Sequence, residues 1–169
     1  MTLPPATGRP YRISLVCLGN ICRSPMAAAV LRHRVDETGL AELVAVDSAG
    51  TGSWHVGDHA DPRARTALAL RGYDGEMHRA RQFQTAWFDD HDLVLAMDHD
   101  NARNLRRAAP DRAAADRVVL LREFDPEAGA GPDRDVPDPY FGDERDFDAA
   151  LDIIERSVDG LMASLRSQM

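Results

Sequence analysis

The chain has 169 residues, 44% of them hydrophobic and 28% charged, which fits one soluble domain with a core large enough to need no staples. No apolar stretch approaches the roughly 20 residues of a membrane span, and a net charge of −8 argues against general nucleic-acid binding, which needs a basic face. Two cysteines and a polar start without an apolar h-region lead to the expectation of a cytoplasmic chain without a disulfide framework.

Residues 1–10, rich in Pro and Gly, read as a flexible lead-in, and 11–169 as a single domain. Arg12 to Cys17 is a mostly apolar run ending in a Gly-containing turn, the pattern of a buried strand. Ser24 followed by Pro25 reads as a cap and first turn of a helix that Gly39 stops. A second strand is expected over Leu43 to Asp47, then a loop over Ser48 to Ala60, then a helix from Asp61-Pro62 to Gly72. A third strand spans Asp92 to Asp98, a helix follows around Asn101 to Ala108, and Arg117 to Leu121 makes a fourth strand. An acidic loop with four prolines runs from Glu123 to Asp146, and a last helix carries Phe147, Leu151, Ile154, Val158, Leu161 and Leu165 on one stripe. Strands alternating with helices predict an α/β fold: three layers, a four-stranded parallel sheet with helices on both faces, and a ligand site at the carboxyl ends of the strands.

The run VCLGNICRSP, Val16 to Pro25, leaves the first strand at that end. It holds both cysteines, and three readings of it compete: a redox pair, half of a metal site, or a loop presenting one thiolate to an anion. A structural zinc site needs about four ligands. No second cysteine pair exists, and His33, His55, His59, His78, His91 and His99 form no matching ligand pattern. A dithiol of the C-x-x-C kind needs tighter spacing than Cys17 and Cys22 have. The loop reading fits best, because a helix N-terminus gathers unpaired N–H groups and binds anions. Gly19 allows close backbone approach, Asn20 tolerates a left-handed conformation, and Arg23 can grip two phosphate oxygens with its fork. A cysteine in such a field is favoured as a thiolate nucleophile, with the Ser24 hydroxyl in reach to donate to it.

The string C-L-G-N-I-C-R-S-P resembles the signature of the low molecular weight protein tyrosine phosphatases, in which Cys and Arg are separated by five residues and followed by Ser or Thr. VPDPYFGD, Val136 to Asp143, resembles that family's general-acid loop, with smaller echoes in DSAGT, HRARQ and AMDHDN. The resemblance, of the bacterial type, implies roles for individual residues. Cys17 would be the nucleophile that carries the phosphoryl group, and Asp138 the general acid and then base. Arg23 and the backbone from Leu18 through Gly19, Asn20, Ile21 and Cys22 to Ser24 would cradle the phosphate. Asn20, Ser24, Ser48 and His78 would support the loop, while Trp54, Tyr140 and Phe141 would wall the pocket. Cys22 is left between two readings, a packing residue and a guard that captures an oxidised Cys17 as a disulfide. Asp138 must hold a proton to serve a phenolate leaving group, which charge repulsion from Asp135 and Asp143 and burial by Tyr140 would favour.

The implied activity is hydrolysis of phosphotyrosine and small aryl phosphates with no cofactor and no metal. Tyrosine-phosphorylated proteins would be the substrates and phosphate or other oxyanions the inhibitors, with neither nucleic acid nor membrane as partner. Two alternatives remain: an arsenate reductase of the same fold, which the lack of cysteines after Cys22 disfavours, and a non-catalytic phosphotyrosine-binding module, which the intact Cys, Arg and Asp disfavour.

Overall fold

A computed structural model describes residues 2–169. Strand β1, Tyr11–Cys17, alternates its side chains between two cores. Ile13, Leu15 and Cys17 pack on one side of the sheet and Val16 on the other. Strand β3, Leu93–Ala96, does the same, with Leu93 and Leu95 on the first side and Val94 and Ala96 on the second. Both faces are therefore covered; β3 reads as an unbroken apolar run and β1 as one interrupted by Arg12 and Ser14. With β2, Val44–Gly50, and β4, Val118–Leu120, they form a parallel sheet in the order β2-β1-β3-β4. The chain leaves β1 first to one side and later to the other, so the end of β1 is the switch point where such sheets bind ligands.

Helices α1, Arg23–Glu37, and α5, Glu144–Gln168, cover the first face, with α2, Pro62–Leu70, beside them. Met26, Val30, Leu31 and Val35 of α1 meet the expected stripe of α5, from Phe147 to Leu165, in one core. On the second face α3, His99–Ala108, and α4, Arg112–Ala115, join Phe83 and Phe88 over Val16, Val94 and Val118. Among the described residues no helix is long and apolar enough to cross a membrane.

Several boundaries differ from the expectations. Helix α1 starts at Arg23 with Cys22 in the cap position and no side-chain cap, because the Ser24 hydroxyl is occupied elsewhere. Strand β2 continues to Gly50, since Ser48, Ala49 and Gly50 pair with Leu15, Val16 and Cys17. Strand β3 stops at Ala96, and α3 starts at His99 because Asp98 caps it through Asn101 N at 2.7 Å. Strand β4 is shorter at both ends, and Leu121 instead opens a 3-10 turn to Phe124. Helix α5 begins at Glu144 with Asp143 and Asp146 forming a capping box.

The N-terminal segment is not a free lead-in. It has no helix or strand up to Pro10, yet Leu3 is buried and the Tyr11 hydroxyl donates to Pro4 O at 2.8 Å. The Thr7 amide and hydroxyl donate to the carboxylate of buried Asp92, which also accepts from Arg12 N. A carboxylate with three donors pins the segment across β1 and β3; composition alone gave no sign of it.

Candidate active site

The loop after β1 is shaped by Asn20, whose φ is +59° and whose side chain is fully buried. Its amide donates to Ser24 Oγ at 2.7 Å and to Ser48 Oγ at 3.0 Å, and its Oδ1 accepts from Arg81 N at 3.0 Å. The Asn20 carbonyl accepts from His78 Nε2 at 2.6 Å. Burial, together with the nearby Arg32, Arg79 and Arg81, pushes the His78 pKa down, so the ring is neutral with its proton on Nε2. Thus Asn20, Ser24, Ser48 and His78 form one connected support, joined by Arg81, which also donates from Nε to Ser48 O.

Gly50 is a second constraint. A Cβ there would lie 2.7 Å from Leu18 O and 3.1 Å from Asn20 N, so the loop rests directly on the glycine. Thr51 N and Gly52 N hold the loop from the same side, donating to Cys17 O and Leu18 O at 2.9 Å each. Among the described residues no backbone carbonyl accepts from the N–H groups of Gly19 to Arg23. Five amides in succession, at the start of a 15-residue helix, are thus left without a carbonyl partner, the kind of donor set that suits an anion.

Cys17 ends β1 and is buried, with Sγ 3.0 Å from Ser24 Oγ. Ser24 Oγ accepts from Asn20 and also donates toward Ala49 O at 3.4 Å, so its one hydrogen is shared between that carbonyl and the nearer sulfur.

Arg23 is almost wholly buried, and its Nη1 donates to Asp98 Oδ2 at 2.7 Å and to Val136 O at 2.9 Å. Burial opposes its charge, but Cys17, Asp98 and Asp138 outweigh that and raise the guanidinium pKa. With Nη1 engaged, Nε and Nη2 remain as the fork for two oxygens of a ligand. Asp98 was read in the sequence only as the end of a strand. Its signal was its place in AMDHDN, at the carboxyl end of β3, where a functional carboxylate is expected in this class of sheet.

Asp138 sits in the loop between β4 and α5, with Oδ2 3.6 Å from Arg23 Nη2 and Oδ1 accepting from Tyr140 N at 3.1 Å. The neighbours named for it in the sequence have partners of their own. Asp135 faces His99, Asp143 caps α5, and the Asp138 side chain is 44% exposed rather than covered by Tyr140.

Cys17, Leu18, Gly19, Ile21, Cys22, Arg23 and Asp138 line one cavity of about 190 Å³. Trp54, Tyr140 and Phe141 form its walls, with exposures of 72%, 39% and 96% that leave their rings free at the mouth. The sequence reading missed His55, which lines the same wall, sits 3.0 Å from where a Cβ on Gly19 would be, and pairs with Asp58. Cys22 is buried and its thiol is pushed far up by burial and by Asp61, Cys17 and Asp138, so it stays protonated. Both cysteines are free.

Residues 12–169 match the family model described as low molecular weight phosphotyrosine protein phosphatase. The chain is 54% identical over 159 residues to a low molecular weight protein-tyrosine-phosphatase of Streptomyces coelicolor, covering 94% of this chain and 96% of that one. It is 44% identical to low molecular weight protein-tyrosine phosphatase A of Mycobacterium tuberculosis, over 90% of each chain. A crystal structure of a protein tyrosine phosphatase from Entamoeba histolytica superposes with a TM-score of 0.87 at 34% identity, covering 94% of this chain and 98% of that one. Vibrio vulnificus Wzb, solved in complex with benzylphosphonate, superposes with a TM-score of 0.79 at 27% identity over 91% and 98%. With the sheet order, the anion nest after β1 and these likenesses in agreement, the chain belongs to the low molecular weight protein-tyrosine phosphatases, a family of enzymes.

Proposed function

We propose that the enzyme hydrolyses phosphotyrosine in proteins, and small aryl phosphates, in two steps through a cysteinyl-phosphate. The observation that carries the reading is Cys17 at the floor of the cavity, with the Ser24 hydroxyl 3.0 Å from its sulfur and five successive amide donors behind it. In the first step the Cys17 thiolate attacks phosphorus, the bond from phosphorus to the aryl oxygen breaks, and Asp138 gives its proton to the departing oxygen. In the second, water attacks the phosphorus, Asp138 takes the proton, the S–P bond breaks and phosphate leaves with Cys17 restored. The transition state of each step is loose, with charge on three equatorial oxygens, so positioning and fixed donors supply most of the acceleration. The amides of Gly19 to Arg23 and the free edge of the Arg23 guanidinium suit those oxygens.

A proton donor is needed because a tyrosine leaving group has a pKa near 10, and general acid catalysis contributes roughly 10²–10⁴-fold. Trp54, Tyr140 and Phe141 would stack on the substrate ring, favouring phosphotyrosine over the shorter phosphoserine. Phosphate and related oxyanions would compete for the nest; the benzylphosphonate complex of the Vibrio relative supports that class of ligand. Cys22, with its thiol held neutral, is the poor nucleophile of the pair and suits a reserve role toward an oxidised Cys17. The free cysteines also suit the reducing cytoplasm as the place of action.

The test is hydrolysis of p-nitrophenyl phosphate and of matched phosphotyrosine and phosphoserine peptides by the parent, Cys17→Ser and Asp138→Ala proteins. We expect no turnover from Cys17→Ser, a loss of roughly 10²-fold or more from Asp138→Ala on the phosphotyrosine peptide and a smaller one on p-nitrophenyl phosphate, and preference for phosphotyrosine. An active Cys17→Ser protein, or equal rates on both peptides, refutes the reading.

A further inference from the structure

Among the described residues Asp138 accepts no hydrogen bond from outside its own loop, and Arg23 meets it only as an ion pair. Its carboxylate accepts only from Tyr140 N, two residues on, and stands 3.6 Å from Arg23, beyond hydrogen-bond reach. What gives it a direction lies just before it in the chain. Pro137 and Pro139 flank it, each fixing its own φ near −65° and each confining the residue before it to extended backbone. The stretch Val136 to Pro139 is thus a short stiff rod, and the direction of Asp138 is set by how the start of that rod is held.

The start is held at two consecutive residues. Val136 is fully buried; its N–H donates to Met97 O at 2.8 Å and its carbonyl accepts from Arg23 Nη1 at 2.9 Å. Alone, that is a single point about which the rod could swing. Asp135 supplies the second point. One carboxylate oxygen accepts from His99 N at 2.9 Å and lies 2.5 Å from His99 Nδ1, at the first residue of α3, while the Asp135 carbonyl accepts from Arg122 Nη1 at 3.0 Å. Met97 and His99 flank Asp98, the residue that holds Arg23. The phosphate-gripping guanidinium and the acid-bearing loop are therefore registered on the same three residues at the carboxyl end of β3.

We propose that Asp135, anchored on His99, is a positioning residue for the proton donor Asp138, setting the direction of the rod relative to the leaving-group oxygen. The proposal rests on the general-acid reading of Asp138. It separates Asp135 from the cradle, because none of its contacts reaches Cys17 or the nest, and it gives the carboxylate a task other than repelling Asp138.

The experiment compares kcat/KM for p-nitrophenyl phosphate, whose leaving group needs little protonation, with that for phenyl phosphate, whose leaving group has a pKa near 10. Parent, Asp135→Ala, Asp135→Asn, Asp138→Ala and the Asp135→Ala/Asp138→Ala pair are measured, with the inhibition constant of inorganic phosphate for each and thermal melts as a folding check. Asp135→Ala should lose about tenfold on phenyl phosphate and less than threefold on p-nitrophenyl phosphate, as misplacing a group by a fraction of an ångström costs this order. Asp135→Asn keeps an acceptor for His99 N and should recover most of the loss. In the Asp138→Ala background Asp135→Ala should cost nothing further, and phosphate inhibition should be unchanged throughout. Equal losses on both substrates, no loss at all, the same loss without Asp138, or phosphate inhibition weakened more than threefold by Asp135→Ala would each overturn the proposal. If Asp138→Ala itself spares phenyl phosphate, the general-acid reading fails instead, a result distinct from the others.

Discussion

Replacing Gly50 with alanine isolates the geometry of the loop from its chemistry. The backbone of Gly50 lies outside the left-handed region, so an L-residue meets no conformational strain there, and the perturbation is purely steric. The added Cβ would lie 2.7 Å from Leu18 O and 3.1 Å from both Asn20 N and Gly19 C, all backbone atoms of the nest. Ordinary contact begins near 3.4 Å, so the loop must retreat by about 0.7 Å, and no flexible side chain can absorb the push. Overpacking of this kind costs about 1–3 kcal/mol, or roughly 2–12 °C in Tm for a chain of this size. Misplacing catalytic groups by about 1 Å costs on the order of 100-fold, so kcat/KM on p-nitrophenyl phosphate should fall about 10–100-fold, with phosphate inhibition weakened as well. Gly39→Ala is the control: its φ of +74° strains alanine, but nothing lies within 4 Å. It should lower Tm while leaving kcat/KM unchanged. A folded Gly50→Ala protein with kcat/KM within twofold of the parent would refute the claim that the loop rests on this glycine.

Three further outcomes follow from contacts described above. Asp98→Asn keeps an acceptor for Asn101 N, and so the cap of α3, but removes the charge facing Arg23; kcat should fall about tenfold or more by the same positioning argument, with Tm reduced by only a few degrees. His91 donates to Trp87 O and to Asp47 Oδ2 from its two ring nitrogens; burial and Arg81 oppose its charge, but Asp47 and the carbonyl win and raise its pKa above the unfolded value near 6.5. Its contribution is therefore complete below about pH 6.5 and lost as pH rises through the folded value, so the parent should lose more Tm than His91→Gln between acidic and alkaline pH, and parallel melting curves would sink that assignment. Removing residues 2–8 takes away Leu3 burial and the Thr7 bonds to Asp92, and should lower Tm without changing kcat; an unchanged Tm would mean the segment contributes nothing.

The sheet was legible because β3 is an unbroken apolar run, β1 a mostly apolar one, and the stripe of α5 is regular, all consequences of burying one face or two. The nest was legible because glycine, asparagine and a cap-like Ser-Pro at a strand end have few other uses. The N-terminal strap was not, since a single buried Leu3 and an Asp92 with three donors leave no periodicity to read. Ser24 misled for a related reason: at a helix start its hydroxyl has two possible partners, the helix backbone or Cys17, and only tertiary structure chooses between them. Asp98, Arg81 and Gly50 act across as many as 75 residues of chain, and only after the sheet has brought them to the loop; local pattern carries no record of such meetings. Adjacency of acidic residues in sequence also gave no sign that Asp135 and Asp143 each point at a separate partner.

At a left-handed residue glycine is ordinarily the more comfortable choice, and replacing asparagine with it often costs little. Asn20 reverses that rule. Its side-chain amide satisfies two hydroxyls and one backbone N–H inside the protein, so a glycine there would relax the backbone while removing a hydrogen bond from each of Ser24, Ser48 and the Arg81 amide. The curve of the loop is thus written in a side chain and does not depend on chain flexibility. In the proposed reaction, donors held in this way would remove the reorganisation that water or a floppy loop would impose on the phosphoryl charge.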